Sequence, residues 1–191
     1  MIRKYLPTML GLTLISSLAA SAAESPSTKL QFDFNGAASA PKWAAENDGV
    51  MGGLSEGRVV IKDGSLIFSG KLSFENNGGF ASVTTNEQKH DLEGATHFKL
   101  RIKGDGRTYR LRISTDARHR GSSIVYMANF ATKPGEWEEV KIPFASFKPS
   151  HHGNTLDGPA LDLSKVEEIG LLIGDKQAEP FALEVDWMKA E

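Results

Sequence analysis

The chain has 191 residues, with 22 Lys and Arg against 24 Asp and Glu, a formal net charge of −2, and no cysteine. Charge this evenly balanced gives no support to nucleic acid or an anionic membrane surface as a general partner. The lack of cysteine excludes disulfides, a thiol nucleophile and a lipidation cysteine.

The first residues read as a leader. Arg3 and Lys4 precede an uncharged, largely apolar run from Leu6 to Leu18, and Ala20-Ser21-Ala22 fits a small-x-small cleavage site. This is the layout of a secretory signal peptide, with cleavage predicted after Ala22 and a periplasmic or secreted destination. The apolar run is short for a membrane span. Its basic residues cluster at the start, whereas a mitochondrial presequence spreads them along an amphipathic segment. Residues 23–29 are small and polar and read as a flexible lead-in. Residues 30–191 then form one domain, long enough for a sizeable core.

Within that domain apolar residues recur with period two, the mark of half-buried strands. In order, the alternating sets are Leu30/Phe32/Phe34, Val59/Ile61, Leu66/Phe68, Leu72/Phe74, Phe98/Leu100/Ile102, Tyr109/Leu111/Ile113, Val140/Ile142/Phe144 and Phe181/Leu183/Val185/Trp187. Ser123–Ala131 has a mixed strand pattern, and the nearly continuous apolar run Ile169–Ile173 suits a central strand. Helical periodicity is nearly absent; Asp162–Glu168 has room for one turn. The expected fold is all-β, an antiparallel sandwich of roughly ten short strands.

Turn residues set two pairings. Asp63-Gly64 supplies the positive φ angles of a type I′ hairpin. Gly104-Asp105-Gly106-Arg107 is expected to join its flanking strands as a second hairpin, with Lys103 opposite Thr108. That register sets Arg101 across from Arg110 and Lys99 across from Arg112, a basic face of like charges that is destabilising unless something acidic lies on it. Either Glu184, Asp186 or Glu139 neutralises it from a neighbouring strand, or the face receives an anionic ligand.

The most unusual stretch is Glu46-Asn47-Asp48-Gly49-Val50-Met51-Gly52-Gly53-Leu54-Ser55, echoed by Ser73-Phe74-Glu75-Asn76-Asn77-Gly78-Gly79-Phe80. Both place carboxylates and amides beside paired glycines, which bend a chain or admit a close neighbour. The two segments are expected to form one rim, with Trp43, Asn47, Asp48, Met51, Glu75, Asn76 and Asn77 as candidate binding residues. An Asp48 that accepts backbone N–H bonds from the opposite loop would make the rim a structural lock instead of a contact surface.

Trp43 with the Asn47–Ser55 block resembles the signature of the complex I intermediate-associated protein 30 domain. The echo Glu75–Phe80, the Gly104-Asp105-Gly106-Arg107-x-Tyr109 turn, Trp137 ahead of Val140-x-Ile142-Pro143-Phe144, and Gly170-x-x-Ile173-x-Asp175-Lys176-Gln177 followed by Phe181 are similar to it in the same order. The resemblance covers about Leu30 to Met188. It implies a jelly roll of the galactose-binding-like type. It also implies a chaperone-like role, since mitochondrial members assist the assembly of respiratory complex I in the matrix. It brings no catalytic residues. The export signal departs from it, because an exported bacterial copy lies across the membrane from the compartment equivalent to the matrix.

Reactive chemistry finds little support in the residues. His151-His152 is the sole His pair, and adjacent strand residues point to opposite faces, so no metal site is expected there. Ser55 lacks a G-x-S-x-G context. Asp48 and Glu75 are a glycosidase pair only at the right separation. Asp157, Asp162 and Asp175 are oxygen ligands suited to a structural calcium, but their spacing matches no calcium loop. No cofactor is expected. The reading is therefore a non-catalytic binding module, for a protein partner as the resemblance implies, with a carbohydrate-binding module by analogy of fold and then a glycoside-active enzyme as alternatives. An exposed apolar patch favours the first, an aromatic platform beside polar loops the second, and a cleft with facing carboxylates the third.

Overall fold

The period-two pattern becomes two packed antiparallel sheets in the computed structural model, which describes residues 28–36 and 41–191. The expected signal peptide and most of the lead-in lie outside the described residues. The strands are β1 Leu30–Asp33, β2 Trp43–Asn47, β3 Glu56–Lys62, β4 Ser65–Lys71, β5 Ala81–Thr85, β6 His97–Lys103 and β7 Thr108–His119. They continue with β8 Ser122–Ala131, β9 Trp137–Pro143, β10 Lys148–His151, β11 Asn154–Thr155, β12 Val166–Ile173 and β13 Pro180–Ala190. Among the described residues the remaining regular elements are 3₁₀ turns, including Asp48–Met51, Glu75–Asn77 and Leu163–Lys165.

One sheet of six strands runs β3-β4-β13-β6-β9, with β1 also paired to β13; the other, of seven, runs β11-β10-β8-β7-β12-β5-β2. Alternation decides which face each side chain takes. Leu66, Phe68, Phe98, Leu100, Ile102, Leu183 and Val185 from the first sheet meet Tyr109, Leu111, Ile113, Tyr126, Ile169 and Leu171 from the second, all buried. The result is a jelly-roll sandwich. The Asp63-Gly64 hairpin forms as read, with φ of 51° and 79° and Lys62 opposite Ser65. The Ile169–Ile173 run is central, between β7 and β5.

The second expected hairpin does not form. β6 belongs to the six-stranded sheet and β7 to the seven-stranded one, so Gly104–Arg107 carries the chain between sheets. Gly104 lies so close against the Thr132 side chain that any Cβ would collide with it, and Gly106 has φ +90°. Thr132 Oγ1 accepts the Gly106 N–H at 3.1 Å. Asp105 accepts the Arg107 N–H, the Tyr109 hydroxyl and the Ala182 N–H at 3.0, 2.9 and 2.9 Å. Arg107, buried, donates from Nε to Asp175 Oδ2 at 2.9 Å and from Nη2 to Asp175 Oδ1 at 2.5 Å. These bonds make the corner an arch. A Gly-Asp-Gly turn signal is common to an arch and a hairpin, which is why the residues alone did not separate them.

The four basic residues therefore do not share a face. Lys99 and Arg101 point outward from the six-stranded sheet, where Glu139 meets Lys99 at 2.6 Å and Asp186 meets Arg101 at 2.5 Å. Neutralisation from neighbouring strands is the arrangement on that side. Arg110 and Arg112 point outward from the opposite sheet.

Candidate functional site

The rim is built on Asp48, fully buried at the start of the 3₁₀ turn after β2. Its Oδ1 accepts the Ser55 N–H at 2.9 Å, and its Oδ2 accepts the Ser55 hydroxyl at 2.6 Å. From the echo segment, Oδ2 also takes the N–H groups of Gly79 at 2.7 Å and Phe80 at 3.3 Å. Burial pushes this carboxyl up, but the donors on Ser55, Gly79 and Phe80 outweigh it and hold it below the ordinary aspartate range. Gly53 and Gly78 sit where a Cβ would run into the Asp48 carboxylate. Ser55 Oγ extends the lock by accepting the Ser73 N–H at 3.0 Å.

Other rim residues divide between support and surface. Asn47 donates to the Gly57 carbonyl at 3.0 Å. Asn76 donates to the Gly52 carbonyl at 3.1 Å. Asn76 and Asn77 have φ of 52° and 60°, the left-handed region that asparagine tolerates best after glycine. Glu75 is exposed. Trp43, on β2, packs edge-on against Phe32 and Phe34 at ring-centroid distances of 5.8 and 6.1 Å, so it is a packing residue and no stacking platform. Met51, Leu54 and Phe74 are apolar side chains of the two rim segments that face solvent, 59%, 54% and 46% exposed. Leu54 and Phe74 line a groove of about 820 Å³ with Leu72, Lys71, Glu56 and Ala178. Sequence pattern alone places Leu54 only in the Gly-Gly block and Phe74 in a strand with Leu72. β4 ends at Lys71, and the 3₁₀ turn turns Phe74 outward.

Gly79 and Phe80 also wall a depression on the outer face of the seven-stranded sheet. Its floor follows from register: Met127 lies opposite Arg112, Asn129 opposite Arg110, and Leu172 opposite Arg110 on the other side. Beneath Arg112, Gly170 lets β12 pack closely, since a Cβ there would strike the Val83 carbonyl and crowd the Arg112 side chain. Arg112 is held by Glu46 at 3.3 Å and Ser82 Oγ at 3.2 Å. Arg110 donates Nε to Asn129 Oδ1 at 3.2 Å. The outward positions of β8 and β12 were the available signal for Met127, Asn129 and Leu172.

Three of the carboxylates named for reactive or metal chemistry are committed to partners inside the fold. Asp48 is committed to four donors inside the rim, whereas Glu75 is exposed. Asp175 is taken by Arg107, and Asp162 caps the Leu163–Lys165 turn by accepting from Ser164 N at 3.1 Å. The His151 ring packs on His152 and His119. Among the described residues no group of three or more His, Cys, Asp or Glu is placed to hold a metal ion.

The fold and the locked rim define a jelly-roll domain in which one buried carboxylate closes two loops. The family model for complex I intermediate-associated protein 30 matches residues 32–185, and the chain belongs to that family. It is 31% identical over 170 residues to the mitochondrial complex I intermediate-associated protein 30 of Mus musculus. That match covers 77% of this chain and 51% of the mouse protein, so the chain spans about half of its relative's length. Among solved structures it is similar to the family 11 carbohydrate-binding module of a cellulosomal cellulase of Clostridium thermocellum, with TM-score 0.62 and 14% identity over 86% of this chain and 96% of the other. A structure of that module with a β-1,3-1,4-mixed-linked tetrasaccharide gives TM-score 0.57 and 15% identity, covering 78% of this chain and 88% of the other. At such identity the likeness is one of fold. No helix among the described residues is long and apolar enough to cross a membrane.

Proposed function

We propose that the chain is a non-catalytic, protein-binding module of the assembly-factor or chaperone-like kind, acting outside the cytoplasm. The observation that carries this reading is the exposure of Leu54, Phe74 and Met51 on backbone that Asp48 fixes in place. Large side chains held in water by a rigid frame are arranged for burial against a partner. The groove beside them adds Glu56 and Lys71 at its edge, which suits an apolar segment flanked by charge. The mouse relative's name ties it to intermediates of complex I, which supports assembly as the class of role. Arg3, Lys4, the apolar run and Ala20-Ser21-Ala22 support export, and an exported copy has clients in the cell envelope.

The test is site-specific. A photocrosslinking residue at Lys71, on the edge of the groove, should in the native host give one saturable adduct in the envelope fraction, lost in the Leu54→Ser, Phe74→Ser double variant while its melting temperature stays put. Amino-terminal sequencing of the native protein should begin at Ala23. A cytoplasmic chain with Met1 intact would defeat the export reading, and an adduct indifferent to the double substitution would defeat the docking one.

A further inference from the structure

We infer that the depression on the outer face of the seven-stranded sheet binds an acidic saccharide, with Arg110 as the group that recognises its carboxylate. Two adjoining hollows of about 240 and 280 Å³ share Arg110, Met127, Ser150 and Gly153, so the surface is a short trough across the strands. Arg110 has no carboxylate partner among the described residues, and its one side-chain hydrogen bond there runs from Nε to Asn129. Both terminal nitrogens of its guanidinium are thus left for a planar, bidentate acceptor. Arg112 beside it is already shared between Glu46 and Ser82, which keeps it in place but leaves it less to offer.

The remaining lining matches a sugar ring. Met127, Leu172 and Phe80 give an apolar surface for a ring face, while Asn129, Ser150 and Thr155 present side-chain groups to hydroxyls. Lys148 at the edge adds a second positive charge. A peptide is the weaker fit. β8 lies between β10 and β7, and β7 between β8 and β12, so the strands of the floor are paired on both sides and offer no free main-chain edge to an extended chain. The site is separate from the Leu54/Phe74 groove and does not depend on it.

Titration calorimetry of the purified chain with hexamers of galacturonate, mannuronate and glucuronate, beside a neutral galactose hexamer and a hexaglutamate peptide, tests the assignment. At least one uronate is expected to bind, more weakly as salt rises, with no heat from the neutral hexamer. Arg110→Gln should weaken it by about tenfold or more, as should Met127→Glu, which sets a like charge on the floor. Arg101→Gln removes the same charge from the opposite sheet and should change nothing, as should the Leu54→Ser, Phe74→Ser double variant. The assignment is overturned if no uronate binds, or if the neutral hexamer or the peptide binds as well as the uronate. Equal losses for Arg101→Gln, or unchanged binding in both Arg110→Gln and Met127→Glu, would also overturn it.

Discussion

The carboxylate of Asp48 accepts the backbone N–H of Gly79, 31 positions further along the chain, at 2.7 Å. Ser55 and Phe80 complete the same grip, so one buried side chain closes two loops. Asp48→Ala would leave these donors facing each other without an acceptor, at a cost of about 3 kcal/mol. For a domain of this size that is a melting temperature lower by roughly 6–12 °C. Because the Asp48 carboxyl is held below its ordinary range, its contribution is present above the unfolded-state value and fades as pH falls through the folded one. The stability gap between wild type and Asp48→Asn in urea should accordingly narrow on going from pH 7 toward pH 3. A gap that widens in acid would contradict the grip.

The glycines of the two loops should respond unequally. A Cβ on Gly53 or Gly78 meets the Asp48 carboxylate, whereas one on Gly49 meets nothing within 4 Å, and Gly49 does not adopt a positive φ. Gly53→Ala and Gly78→Ala are expected to cost about 1–3 kcal/mol through overpacking. Gly52 has open space around it but φ +86°, so Gly52→Val should cost about 1–2 kcal/mol through backbone strain alone. Gly49→Ala should be near neutral. Thermal melts of the four variants separate a crowded carboxylate from generic loop sensitivity.

What could be read from the residues depended on how local the cause was. The Asp63-Gly64 hairpin and the buried Ile169–Ile173 strand carry their own signals, and both are present. The lock at Asp48 was legible as one of the readings that a carboxylate and amides beside paired glycines allow, a binding rim being another. β2 and β5 were missed. Trp43-Ala44-Ala45-Glu46-Asn47 has no β-branched residue, and it is a strand because it pairs with β5 at the sheet edge. Ala81–Thr85 is buried on both faces, with Ser82 Oγ satisfied by the Glu46 carbonyl at 2.6 Å, so it shows no alternation. The basic face was misplaced for a non-local reason: whether Gly104–Arg107 arches or turns is decided by Thr132 and Asp175, far along the chain.

That arch supplies its own test. Arg107 and Asp175 are buried together, 7% and 9% exposed at their side chains, and Arg107 also donates to the carbonyls of Gln177 and Glu179. Asp175→Ala leaves a buried guanidinium without its carboxylate and is expected to cost about 3–5 kcal/mol. Chemical denaturation should show the loss, with the transition still cooperative. A cost near zero would mean that the carbonyls alone satisfy Arg107.

The outer ladder of the six-stranded sheet should behave differently, although its pairs are just as short. Lys99 with Glu139 and Lys103 with Glu184 meet at 2.6 and 2.5 Å, yet their side chains are 36% and 49%, and 35% and 27%, exposed. Water and salt screen such pairs, and ordering the long side chains offsets much of the attraction. The like charges of Lys99 and Lys141 stand directly opposite each other, so the acidic residues relieve repulsion as well as form contacts. Glu139→Gln and Glu184→Gln should therefore each shift the melting temperature by less than about 3 °C at physiological salt. The shift should grow at low ionic strength, where repulsion within the ladder is unscreened. Asp175→Ala, buried, should keep its full effect in high salt. Melts of the three variants at 0.01 and 1 M salt distinguish the two kinds of pair. A salt-insensitive loss at Glu184 comparable to that at Asp175 would show that the ladder, too, is part of what holds the sheets together.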